Sequence, residues 1–200
     1  VIKICNQKKV IIDVSHIGEQ SFWDIIRHSS KPIIASHSCV YNICPHYRNL
    51  KDEQILAIKK NNGVIFLNLY PVFFDKNFEN KKELFESTIK SELKFISKKF
   101  NNIDQNWINK QHFLQKKLNV IAPKLDLYID HIDYIVKLAG VDHVGIGSDY
   151  DGIDCLPKEF IDCTSHLLII DGLKKRNYSE NEIAKIMGKN FLRVYQEIKS

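Results

Sequence analysis

Two short apolar runs, at 10–15 and 33–36, are rich in β-branched residues, and each ends in a Ser-His pair, at His16 and His37. Between them Phe22, Trp23, Ile25 and Ile26 recur at helical spacing. This is strand, helix, strand, and the 37 − 16 = 21 residues separating the histidines suit it. In a parallel sheet the carboxyl ends of both strands face the same way, so the two imidazoles converge above it. Neutral imidazole is a good ligand for zinc and similar divalent ions. Taken singly, either histidine is more simply a hydrogen-bonded loop residue. Their repetition at equivalent positions makes a metal site the better reading.

Two imidazoles alone do not complete such a site, because zinc takes about four ligands, one position staying open in a catalytic centre. The sequence contains one His-x-Asp, His131 with Asp133, but it lies in mid-helix. Residues two apart on a helix face different sides and cannot chelate together. His131 therefore reads as a helix-surface or interhelical residue. Asp149 is a stronger candidate. It ends the run Gly145-Ile146-Gly147-Ser148, and alternation puts both glycines on its face, with room beneath for bound atoms or close packing. A carboxylate at the carboxyl end of a barrel strand reads as functional; Asp151 reads as a cap for the turn at Gly152.

The elements that must carry these residues follow from periodicity. Residues 1–9 read as the tail of an amphipathic helix, 10–15 and 33–36 as strands, and 22–28 as the helix between them. The connection 38–50 is long beside the usual ~2–6 residues, and long loops on that face are where sites are built. A helix at 53–60, stopped by Asn61-Asn62-Gly63, leads to a third strand at 64–70, apolar on both faces. Tyr70 at its end is placed to line a pocket. Residues 74–124, rich in Lys, Asn and Glu, read as an insertion of one or two helices without chemistry. A core helix at 125–138 stops at Gly140, and 144–149 is the fourth strand. Closing helices follow at 167–175, 180–187 and 191–199, with a capping box at Ser179 and Glu182. Four strand-plus-helix units make an α/β domain equal to half of a TIM-type (β/α)8 barrel, with a helical insertion.

Composition sets outer bounds. Two hundred residues, 44% apolar and 26% charged, suit one soluble globular domain with a sizeable core. The net charge of +5 is scattered, which fits a solvated lysine-rich surface and not a nucleic-acid footprint. No apolar run approaches the ~18 residues of a membrane span, and the opening residues are too polar for a signal peptide. Cys5, Cys39, Cys44, Cys155 and Cys163 are odd in number and form no Cys-x-x-Cys, as expected of reduced thiols in a cytoplasmic protein. Cys39 and Cys44 read as small buried packing.

Several motifs, in order, resemble the renal (membrane) dipeptidase family. They are Ile-Ile-Asp-Val-Ser-His at 11–16, Pro-Ile-Ile-Ala-Ser-His-Ser at 32–38, Tyr-Arg-Asn-Leu at 47–50 and Val-Gly-Ile-Gly-Ser-Asp-Tyr-Asp-Gly at 144–152. The similarity runs from Val1 to the segment 188–193. The resemblance implies a zinc metallopeptidase on a (β/α)8 barrel, of which this chain matches the second half, as a single partial domain over 1–200. It implies hydrolysis of the peptide bond in dipeptides and two zinc ions (Zn2+) in a complete site. His16 and His37 would hold one ion, Arg48 the substrate carboxylate, and Asp149 the amino group, with a candidate role in proton transfer. A bridging Glu and a His-x-Asp pair would come from an N-terminal half, because no strand end here offers a glutamate. The expected partners are a dipeptide and either a second copy, in a homodimer, or that missing half; neither nucleic acid nor membrane is expected. Two other readings stay open. One is a truncated, non-catalytic remnant that folds or binds ligand only with a partner half. The other is a different TIM-barrel metal-dependent hydrolase acting on amides or phosphoesters.

Overall fold

The computed structural model describes residues 1–99 and 102–200; residues 100–101, within the expected insertion, lie outside the described residues. In chain order the elements are α1 (Ile2–Gln7), β1 (Ile12–Asp13), α2 (Glu19–His28), β2 (Ile33–Ala35), α3 (Asp52–Lys60) and β3 (Val64–Asn68). Then come α4 (Pro71–Phe74), α5 (Phe78–Thr88), α6 (Lys90–Ile96), α7 (Ile103–Leu118), α8 (Leu125–Ala139) and β4 (Val144–Gly147). The last helices are α9 (His166–Lys175), α10 (Glu180–Ala184) and α11 (Asn190–Lys199). The strands form one sheet in the order β1-β2-β3-β4, and every neighbouring pair is parallel. Parallel neighbours need a crossover, and helices supply each one here.

The strands are shorter than periodicity predicts. β1 keeps only Ile12–Asp13, and β3 and β4 end at Asn68 and Gly147. The cause is local. The Val14 N–H still reaches the Ile34 carbonyl at 2.8 Å, but His16 then adopts φ +70° and turns the chain out of the ladder. Asp149, at φ +56°, does the same after β4. Left-handed backbone is costly for residues other than glycine and concentrates at functional sites. Both residues were singled out by sequence.

Alternation splits the sheet between two packing layers. Ile33, Ala35, Ile65, Leu67 and Val144 join the main core with Ile55 and Ile58 of α3 and Tyr128, Ile132 and Ile135 of α8. On the other face Val64 and Phe66 pack against Val194 and Ile198 of α11. Next to that contact an apolar groove of about 530 Å³ stays open, lined by Ile34, Phe66, Ile146, Met187, Phe191 and Leu192. The glycines of β4 do not leave free space on this face, as the alternation allowed. A Cβ on Gly145 would meet the Phe66 ring at 2.5 Å, and one on Gly147 the Ser36 carbonyl oxygen at 2.0 Å. Close packing fills it.

Among the described residues the insertion holds three helices, α5–α7, where one or two were expected. They stand because they build a small core of their own, with Val72, Phe78, Ile89, Leu114, Leu118 and Cys155. Lys82 of α5 fastens this unit to the segments that follow β3 and β4, donating to the Tyr70 hydroxyl and to Asp154 Oδ2, both at 2.6 Å. Tyr70 is thus occupied as an anchor. The closing helix expected at 180–187 is also broken: α10 gives way to a π-helical turn, Lys185–Lys189, where Gly188 leaves helical geometry. Its start is as expected, with the Ser179 N–H donating to Glu182 Oε2 at 2.8 Å.

Of the two placings expected for His131, the interhelical one holds. It is fully buried and not on the helix surface. Its Nδ1 accepts the Val40 N–H at 3.1 Å and its Nε2 lies 3.2 Å from the Phe74 carbonyl, so the ring ties α8 to α4 and to the loop at Val40. Asp133 points elsewhere, to Arg176 and the Tyr178 hydroxyl. The pair does not chelate. Among the described residues no helix is long and apolar enough to cross a membrane.

Candidate functional site

His16 and His37 leave the ends of adjacent strands and meet. Their Nε2 atoms are 2.6 Å apart and their ring centroids 4.7 Å. His37 is half-buried, and burial is the largest effect lowering its pKa. The Asp149 carboxylate partly offsets this, while His16 and Arg48 press it down further. The ring is therefore neutral near pH 7 and keeps a lone pair for a cation. Two imidazoles on one tetrahedral ion, with bonds of about 2.0–2.1 Å, stand roughly 3.3 Å apart. A ring shift of less than about 1 Å would admit it.

The donor chemistry fits a zinc site in part. Among the described residues no group of three or more His, Cys, Asp or Glu side chains gathers to hold an ion. The nearby cysteines do not contribute. Cys39 is fully buried and donates to the Asn68 carbonyl at 3.3 Å, and burial pushes its thiol pKa far up. Cys44 is raised to about 11, chiefly by burial, and donates to the Val72 carbonyl at 3.4 Å. Both are packing residues.

Arg48 is positioned by a loop that closes on itself. Asn49 sits inside it, accepting the Cys39 N–H at 3.1 Å and donating to the Cys44 and Phe73 carbonyls at 2.8 and 2.7 Å. The Leu50 N–H returns to the Cys39 carbonyl at 2.9 Å. This pinned ring explains why the long connection 38–50 is ordered. His46 is loop packing: its Nδ1 accepts the Arg48 N–H at 3.1 Å and its ring stacks on Tyr47. The Arg48 guanidinium lies 5.8 Å from the centre of the Phe73 ring. It borders a cavity of about 280 Å³ shared with His16, Ser38 and Tyr41. Its Nη2 is buried and has no hydrogen-bond partner among the described residues.

Asp149 is held by Asn68 at the end of β3, which donates to Oδ2 at 3.0 Å. The turn beyond it is closed by its own carbonyl, which accepts the Gly152 N–H at 3.0 Å, and not by an Asp151 cap. Glycine is needed there, since a Cβ on Gly152 would stand 2.2 Å from Asp149 Oδ1. The Asp149 charge acts on both His37 and Arg48, so the three lie within electrostatic reach of one another. The structure thus brings His16, His37, Arg48 and Asp149 to one end of the sheet. Reasoning from residue types overlooked Asp13, Ser36 and Asn68, which hold these groups. An aspartate inside the apolar run at 10–15 was the available signal.

A parallel α/β sheet with paired histidines, an arginine and an aspartate at its carboxyl ends has the make-up of a metal-dependent hydrolase of the barrel type. The family model of membrane dipeptidases, peptidase family M19, matches residues 1–200, and the chain belongs to that family. A Klebsiella pneumoniae protein, described as uncharacterized and encoded in the pqqA 5′ region, is 30% identical over 198 residues, covering 99% of this chain and 58% of that one. The probable dipeptidase PvdM from Pseudomonas aeruginosa superposes with a TM-score of 0.74 at 29% identity, over 99% of this chain and 52% of that one. A metallo peptidase from Rhodobacter sphaeroides, solved with a phosphinate mimic of L-Ala-D-Ala, gives 0.73 at 23% identity, over 98% and 45%. The chain spans about half the length of these relatives.

Proposed function

We propose that this chain carries the substrate-clamping part, and two metal ligands, of a zinc dipeptidase site. One observation carries the reading: Arg48, which borders the same cavity as His16, has a buried Nη2 without a partner among the described residues. A buried donor left unpaired costs about 1–3 kcal/mol, and more when charged. A carboxylate removes that cost, and the guanidinium fork can grip it with two hydrogen bonds. Asp149, steadied by Asn68, takes the ammonium end and is placed to hold a proton from the leaving amine. The two charged groups would then grip both termini of one short substrate, which selects a dipeptide over a longer chain. Fixing both ends is itself a large part of the rate gain. His16 and His37 would hold a divalent ion, whose chemistry would be Lewis-acid polarisation of the scissile carbonyl and a nucleophile at neutral pH.

The sheet is read as half of a (β/α)8 barrel. Ser36 follows β2 directly, Gly147 ends β4, and β3 lies between them, yet a Cβ on Gly147 would come within 2.0 Å of the Ser36 carbonyl oxygen. This curl toward one face supports closure into a barrel. The remaining ligands and the cover for the open groove would come from the other half, with a second copy as the alternative occupant.

Calorimetric binding tests the reading. Arg48→Ala is expected to weaken affinity for a dipeptide with a free carboxyl terminus by about 10–100-fold, the range of a charge-assisted hydrogen bond. A carboxamide dipeptide should lose far less. Equal losses on both ligands would assign Arg48 another role.

A further inference from the structure

The two Ser-His pairs interlock beyond the meeting of their rings. Asp13, at the end of β1, uses Oδ1 to accept the backbone N–H groups of Ser15 and Ser36, at 3.0 and 2.9 Å. Its Oδ2 lies 2.5 Å from the Ser36 hydroxyl oxygen, and that oxygen lies 2.6 Å from His37 Nδ1. Two oxygens this close need a proton between them, and a carboxylate has none to give. Ser36 therefore donates its only hydroxyl hydrogen to Asp13. Its remaining lone pairs can only accept, so the proton on the neutral His37 ring resides on Nδ1. The lone pair then stands on Nε2, the atom that faces His16. Ser15 holds the same residue from the backbone side, its hydroxyl oxygen accepting the His37 N–H at 3.0 Å.

We infer that Asp13 and Ser36 are positioning residues, forming a carboxylate–hydroxyl–imidazole chain that fixes the His37 tautomer and aims Nε2 at the metal position. The inference rests on the proposed metal reading for its purpose, though not for its geometry. A hydrogen-bonded partner on the far nitrogen orients a metal-binding imidazole and raises its basicity, and losing such a partner typically costs about 10–100-fold in metal affinity. Here the partner acts through an intervening serine. Each serine of the repeated motif thus serves the second histidine, one its ring and the other its main chain.

Two measurements on the purified protein decide it. The first is the long-range proton–nitrogen spectrum of the histidine side chains without metal. His37 should show a protonated Nδ1 and an unprotonated Nε2; the reverse pattern would overturn the inference without any variant. The second is zinc affinity. Ser36→Ala and Asp13→Asn are each expected to lose about 10–100-fold, whereas Ser36→Thr, which keeps the hydroxyl, retains most of the binding. Asp13 also holds two backbone N–H groups, so Ser36→Ala serves as the cleaner variant. His37→Ala provides the separation from the metal reading. If His37→Ala abolishes zinc binding while Ser36→Ala changes neither affinity nor tautomer, the chain of hydrogen bonds has no such role. If His37→Ala leaves zinc binding intact, the metal reading falls, and the spectrum still decides the tautomer.

Discussion

Burial holds the His131 pKa down at about 4, against an ordinary 6.5, and the hydrogen bond to the Phe74 carbonyl offsets only part of the shift. The sign of the consequence follows directly. In the unfolded chain the ring takes up a proton near pH 6.5, before the folded chain does, so acid favours unfolding. The stability is present in full above pH 6.5 and is lost as pH falls toward 4, by about 3 kcal/mol from this residue. Urea denaturation at stepped pH should show this loss, and His131→Gln, which cannot titrate, should flatten the profile while lowering stability overall. An unchanged slope in that variant would place the acid sensitivity elsewhere. Arg48 shows the opposite use of burial. Desolvation weighs most on its guanidinium as well and lowers its pKa, Tyr47, Asp149 and Asp13 offset it only in part, and a donor is left over for a ligand.

Among the elements, β4 does the most to shape the site. Its Gly147 admits the Ser36 carbonyl oxygen, and an added methyl would stand 2.0 Å from that atom and 2.9 Å from the Phe66 Cβ. Neither is the far end of a flexible side chain, so the methyl can be accommodated only by moving the strand or the Ser36–His37 peptide. Gly147→Ala is expected to destabilise by about 1–3 kcal/mol, as overpacking does, and to weaken zinc binding through the displaced His37. Gly18→Ala meets nothing within 4 Å and should alter neither. Denaturant melts and zinc titrations of the two variants side by side check the contrast. A Gly147→Ala protein with wild-type zinc affinity would show that His37 is set independently of β4.

At the scale of the molecule, the strand order leaves β1 and β4 as unpaired edges. Exposed edges pair with other chains unless they are guarded. The groove beside Phe66 and Phe191 adds an apolar surface on the same face. Residues 1–200 by themselves are therefore expected to self-associate, and to cleave dipeptides only when the rest of a barrel is supplied. Light scattering, with a hydrolysis assay run with and without a separately produced N-terminal half from a relative, tests both points. A monodisperse monomer that hydrolyses dipeptides unaided would mean that the ligand set has been misplaced.

The residue types and their spacing were enough to determine the parallel α/β plan, the crossover helices, and the placing of His16, His37 and Asp149 at strand ends, while Arg48 entered only through the family resemblance. Apolar periodicity and motif order are local properties, readable along the chain. The capping box at Ser179 and Glu182 belongs to the same class, since all its atoms lie within one helical turn. Only the tertiary structure decided what lies between residues distant in sequence. It buried His131 against Val40 and Phe74, filled the space beside Gly145 with the Phe66 ring, and gave the insertion a core of its own. It also turned two plain serines and an aspartate into the support of His37. Those outcomes depend on which side chains the sheet curl and the loop closures bring within a few ångströms of one another. A linear pattern of apolar and polar residues does not contain such distances.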